Sequence, residues 1–95
     1  MSWKAEHHKI YEARVVKDAL GRLAARLDLK SLPFSEDELH TLAKRTRESF
    51  YGRERKRERL EKYKAHLAAR HGKESVERIS AALEDINNAI GYEEK

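Results

Sequence analysis

An all-α fold is what this chain predicts: a small bundle of three helices whose long central member is bent or broken near its middle. Three observations predict it. Apolar residues recur at alternating steps of three and four, the spacing that lines one face of a helix. The 95 residues include only four Gly and one Pro, too little turn material for an all-β fold. One stretch, Phe34-Ser35-Glu36-Asp37-Glu38-Leu39, carries a helix start signal specific enough to place an element boundary by itself.

The first helix is expected over residues 3–28, with Ser2 as its N-cap. Ala13, Val16, Leu20, Leu23 and Leu27 fall on one face. Gly21 interrupts this pattern at a cost of about 1 kcal/mol relative to Ala, and one reason to tolerate it is close approach of a partner helix. Pro33 ends the segment by pushing Leu32 out of the helical region. At the next start, Ser35 is placed to accept from the Glu38 N–H while the Glu38 carboxylate accepts from the Ser35 N–H. Phe34 and Leu39 then staple across the cap. Three acidic residues in the first turn oppose the positive end of the helix dipole.

Helical patterning then continues through Leu39, Leu42, Ala43, Phe50, Leu60, Tyr63 and Leu67 to His71-Gly72. A continuous helix over 35–71 is about 55 Å long at 1.5 Å per residue. Its weak point is Gly52, where a left-handed cap would end the first half. No N-cap side chain follows, since Arg53-Glu54-Arg55 are helix-interior types, and this favours one bent helix over a clean break. Gly72 is the expected C-cap, with Arg70 and His71 well placed against the dipole. The final helix is expected over 74–90, on a seam of Val76, Ile79, Leu83, Ile86 and Ile90, with Gly91 ending it and 92–95 as a frayed tail. The outer helices should lie on opposite halves of the middle one, or side by side if it breaks. The expected core is Val16, Leu20, Leu23, Leu27, Leu39, Leu42, Phe50, Leu60, Leu67, Val76, Ile79, Leu83 and Ile86.

Composition sets the class. A single domain of this size, residues 1–95, buries roughly two-thirds of its unfolded surface. With 39% hydrophobic and 40% charged residues its core is thin and its surface densely charged. The lack of cysteine removes disulfides and thiolate metal sites and makes a reducing, cytoplasmic setting the expectation. The first residues lack the apolar run of a secretory signal. No stretch reaches the ~20 apolar residues that span a bilayer, so no membrane partner is expected.

The charge is unevenly placed. Residues 44–70 hold eleven Lys/Arg against four Glu, a net of +7 in a chain of net +4. The centre is Arg53-Glu54-Arg55-Lys56-Arg57-Glu58-Arg59, and no apolar residue falls between Tyr51 and Leu60. These two turns have no conventional face to bury. They are solvated, cover apolar surface with their stems, or meet something acidic. Such a helix is suited to neutralising backbone phosphates with release of counterions, and Arg favours bidentate phosphate contacts. The expected function is therefore binding of DNA or RNA through the phosphate backbone, with little sequence specificity. Arg53, Arg55, Lys56, Arg57 and Arg59 are the expected contacts, with Lys44, Arg45 and Arg47 as auxiliaries and Tyr51 as a stacking residue. A plain structural helix would use the same residues differently, pairing Glu58 with Lys62 and Glu54 with Arg57. Arg53 with Arg57 and Arg55 with Arg59 are like-charge pairs that such a helix avoids.

Other functional classes find less support. The segment Leu20–Leu29 looks like the first helix of a helix-turn-helix, but the turn through Pro33 is longer than three or four residues. The helix that would read bases opens on Glu36-Asp37-Glu38, which phosphates repel. The histidines lack metal spacing: His7 and His8 are adjacent, His66 and His71 are five apart, and His40 has no second His nearby. No glycine-rich phosphate loop or nucleophile elbow occurs, so neither an enzyme nor a cofactor is expected. The runner-up is a protein-interaction module, an adaptor or inhibitor. It would dock on an acidic partner through the charged central helix, or use the apolar seam of the last helix, which also suits a homodimer.

Overall fold

The computed structural model describes residues 2–52 and 54–93, with side chains described within 13–50 and 54–90. The described residues form four helices and no strand. They are α1 (Ser2–Arg26), α2 (Glu36–Tyr51), α3 (Glu54–His71) and α4 (Lys73–Glu93). The expected all-α class holds, and the expected three helices are corrected to four. The long middle helix is two antiparallel helices, and the greatest extent of the molecule is 43 Å, shorter than the rod of about 55 Å an unbroken helix would make. Folding it back lets each half bury its apolar stripe against the other.

α2 and α4 pack on each other at the centre, while α1 and α3 each contact both of them. The first and last helices are side by side, the arrangement expected for a broken middle helix. Their shared core comprises Val15, Val16, Ala19 and Leu23 from α1, Leu39, Leu42 and Ala43 from α2, Leu60 and Leu67 from α3, and the whole seam from Val76 to Ile90 of α4. Phe34 joins it from the loop. Of the expected core, Leu20 and Leu27 are half-buried at its edge and Phe50 is exposed, 41% accessible. Phe50 follows the Leu42–Thr46 face one turn too far. α2 ends at Tyr51, and its last turn is only partly covered. The α4 seam is consumed inside the chain, which leaves it unavailable to a second copy.

The local signals explain the boundaries. Asp28 caps a 3-10 turn, Leu29–Ser31, by accepting from the Lys30 N–H, and Leu32 before Pro33 is extended. Ser35 and Glu38 form the reciprocal capping box, at 3.1 Å for Glu38 N to Ser35 Oγ and 2.9 Å for Ser35 N to Glu38 Oε1. Two glycines act otherwise than their positions suggest. Gly52 is extended (φ −98°, ψ 164°), so its role is steric rather than conformational. A Cβ there would lie 2.7 Å from the Glu48 carbonyl oxygen and 2.6 Å from Lys56 Cβ. Gly21 meets nothing within 4 Å and mediates no close helix approach. Gly72 behaves as expected, with φ 101°. Its N–H donates to Ala68 O at 2.8 Å and its carbonyl accepts from Val76 N at 3.4 Å, so one residue ends α3 and opens α4. α4 runs past Gly91, beyond the expected end at 90, and Ser2 lies within α1 rather than capping it. Residues 94 and 95 of the expected tail lie outside the described residues.

Candidate nucleic-acid interface

α3 starts where α2 has just ended, so its first turns stand at one end of the bundle with little packed over them. Glu54, Arg55, Lys56, Arg57, Glu58 and Arg59 are all exposed. This is how the helix accommodates Lys56 and Arg57 on the register that carries Leu60 and Leu67 into the core further along. The Lys56 stem packs on Gly52. Arg55 and Arg59 sit one above the other on the outward face, about 6 Å apart along the axis. Lys62 and His66 continue that face at steps of three and four, and both are exposed.

None of Arg55, Lys56, Arg57 or Arg59 has a carboxylate within ion-pair distance among the described residues. The same holds for Glu58 with Lys62 and for Glu54 with Arg57, the pairs a purely structural face would form. Ion pairs among the described residues lie elsewhere, among them Asp18–Arg22 at 3.2 Å, Glu61–Lys64 at 3.5 Å and Lys73–Glu77 at 3.7 Å.

The auxiliary residues divide. Lys44 is exposed on α2. Arg45 is half-buried, with its guanidinium 5.7 Å from the centroid of the Tyr63 ring, which in turn stacks on His66 at 6.1 Å. Arg47 is corrected: it is 8% exposed, within the core face of α2, and is not available to a phosphate. It follows Ala43 and Thr46 on the buried stripe of α2, a position that periodicity shows once the helix end is known. The Arg53 and Tyr51 side chains, and those of His7 and His8, lie outside the described residues.

Two features were not legible in the sequence. The first is an open cleft of about 320 Å³ at the α2–α3 turn, lined by Ser49, Phe50, Arg57, Leu60, Glu61 and Glu84. It gathers three helices, and only the exposure of Phe50 reveals it. The second is the junction at the opposite end of the α2–α3 hairpin. There His71 Nε2 lies 3.0 Å from both Glu38 oxygens, Arg70 Nη1 lies 3.7 Å from Oε2, and the His71 ring meets Phe34 edge-on at 5.1 Å. Glu38 is held below the usual carboxylate range, first by the Ser35 N–H and then by His71 and Arg70, against the opposing effect of burial. Its partners are all structural, tying the start of α2 to the end of α3.

Among the described residues no group of three or more His, Asp or Glu side chains is arranged to hold a metal ion. No described helix is long and apolar enough to cross a membrane. The chain matches no protein-family model, no curated protein and no solved structure.

Proposed function

We propose that this protein binds nucleic acid through the phosphate backbone, using the amino-terminal turns of α3. One observation carries the reading: Arg55, Lys56, Arg57 and Arg59 are exposed together on five consecutive positions, with no ion-pair partner among the described residues. Gathering like charges on one helix destabilises it by a few tenths of a kcal/mol per pair. A polyanion removes that repulsion and releases counterions on binding. Lys62 and His66 extend the surface along α3, and Lys44 adds charge from α2. Arg53 belongs to the same run by sequence. An acidic protein surface would meet the same cations, but the apolar α4 seam that favoured a protein partner is already buried.

Arg55 and Arg59 are exposed and unpaired among the described residues, so Arg55→Gln with Arg59→Gln isolates their charge. Affinity for a generic duplex should fall steeply with salt, with a log–log slope of about −0.9 per phosphate neutralised. The double variant should reduce that slope by about 2 while its melting temperature stays unchanged. Equal affinity of variant and parent at low salt would sink the proposal.

A further inference from the structure

We infer that the cleft beside Phe50 is a subsite for one unpaired nucleobase, which makes single-stranded nucleic acid the preferred ligand. The inference rests on the phosphate-binding reading of α3 and adds to it what lies next to the cations. Phe50 is the one large apolar side chain exposed among the described residues. It sits where the basic run begins, and Arg57 belongs both to that run and to the cleft wall. Arg57 is turned about 160° around α3 from Arg55 and Arg59, so a strand reaches the Phe50 ring by crossing the exposed first turns of the helix with a phosphate on Arg57. Stacking platforms beside a cationic track are the common design for single-strand binding, because every base has a π-face. A duplex keeps its bases inside the stack and reaches such a ring only by flipping one out.

The rest of the lining specifies the edge of the base. Buried Leu60 supplies an apolar floor. The cleft is open to solvent and, at about 320 Å³, admits one planar ring. Glu61 and Glu84 on the rim repel phosphate, so they face the base rather than the backbone. Glu61 is held by Lys64 at 3.5 Å, whereas Glu84 has no cation partner among the described residues. A free carboxylate accepts from an exocyclic amine such as cytosine N4 and repels the carbonyl oxygen that uracil presents at the same position. The subsite accordingly favours amino-bearing bases.

The test is fluorescence anisotropy at low salt, with labelled oligo(dC), oligo(dU) and a mixed-sequence duplex of equal length. The proteins are the parent chain, Phe50→Ala, Glu84→Gln and the Arg55→Gln/Arg59→Gln variant. Expected is tighter binding of oligo(dC) than oligo(dU), a loss of about tenfold for oligo(dC) with Phe50→Ala, and no change on duplex. Glu84→Gln should erase the preference for dC over dU. Phe50 is exposed, so its variant should keep the parent's circular dichroism, which is recorded alongside. Loss of all nucleic-acid binding with the double Arg variant, combined with no effect of Phe50→Ala, overturns the base subsite and leaves the phosphate reading standing. No effect of the double Arg variant on any ligand overturns the phosphate reading itself, and the subsite with it. A parent dimer in sedimentation that Phe50→Ala dissociates assigns the cleft to a second copy and overturns the inference.

Discussion

Removing the Glu38 side chain should cost far more than removing any other carboxylate in the first turn of α2. Glu38→Ala deletes the acceptor of the Ser35 N–H at 2.9 Å and both oxygens within 3.0 Å of His71 Nε2. The Ser35 Oγ contact to the backbone of residue 38 survives, so half the capping box remains. The lost half is worth about 1 kcal/mol, in the range of cap deletions. The His71 bond to an ionised acceptor contributes about 1.5 kcal/mol or more, with little discount for solvent, because both side chains are only 13% exposed. The sum is a loss of about 2–3 kcal/mol, or a fall in Tm of about 10–15 °C for a domain of this size. Thermal and urea unfolding near neutral pH, followed by helix circular dichroism, measure it, with exposed Glu36→Ala as the control at under about 1 kcal/mol. The effect also has a pH signature. The Glu38 carboxyl is held below its ordinary value of 4.5, so its contribution is complete above that pH and disappears as pH falls through the lower folded value. The gap between parent and Glu38→Gln should therefore close on acidification. Equal losses for Glu38→Ala and Glu36→Ala would refute the idea that this carboxylate joins α2 to α3.

Two glycines should respond in opposite directions. Gly52→Ala should destabilise by about 1–3 kcal/mol, the range for forcing atoms into filled space, because its Cβ meets the Glu48 carbonyl. Gly21→Ala, in open space on a helix, should stabilise by about 1 kcal/mol; urea midpoints of the pair decide both. Leu83→Ala, at a fully buried site, should cost about 2–5 kcal/mol, and a loss below ~1 would mean that the α4 seam is looser than described.

The features read correctly from sequence were those decided within a few residues. Ser35 and Glu38 lie three apart, and Gly72 needs only its own φ. The α4 seam is equally local, since one face of one helix carries it. What failed depended on residues far along the chain. The break after Tyr51 carries no N-cap side chain, and it forms because two half-length helices bury more together than one rod buries alone. That reversal then relocated Phe50, which periodicity alone placed in the core, and left Arg47 beneath the surface. The buried face of α1 is wider than its periodicity suggests, since packing on both α2 and α4 requires Val15 and Ala19 as well as Val16 and Leu23. The Glu38–His71 bond joins residues 33 apart, and the Phe50 cleft joins three helices. Neither has a spacing to find. The basic run itself was plain, because charge is counted without knowing the fold, whereas its accessible members emerged only with the end of α2 in place.

The joint at Gly72 governs where this molecule tolerates added length. One residue turns the chain from α3 into α4, with its N–H and carbonyl both engaged by neighbouring turns. At the other end of the hairpin, a Cβ on Gly52 would collide with both the Lys56 stem and the Glu48 carbonyl. Neither corner absorbs an inserted residue without unseating the helices it connects. The stretch between α1 and α2 is the longest connection: Lys30 and Ser31 are exposed on a short 3-10 turn, while Leu29, Leu32 and Phe34 hold the rest against the core. Peptide epitopes, fluorophore-attachment loops or a fused domain inserted near Lys30–Ser31 should leave the α2–α3–α4 unit and its basic end intact.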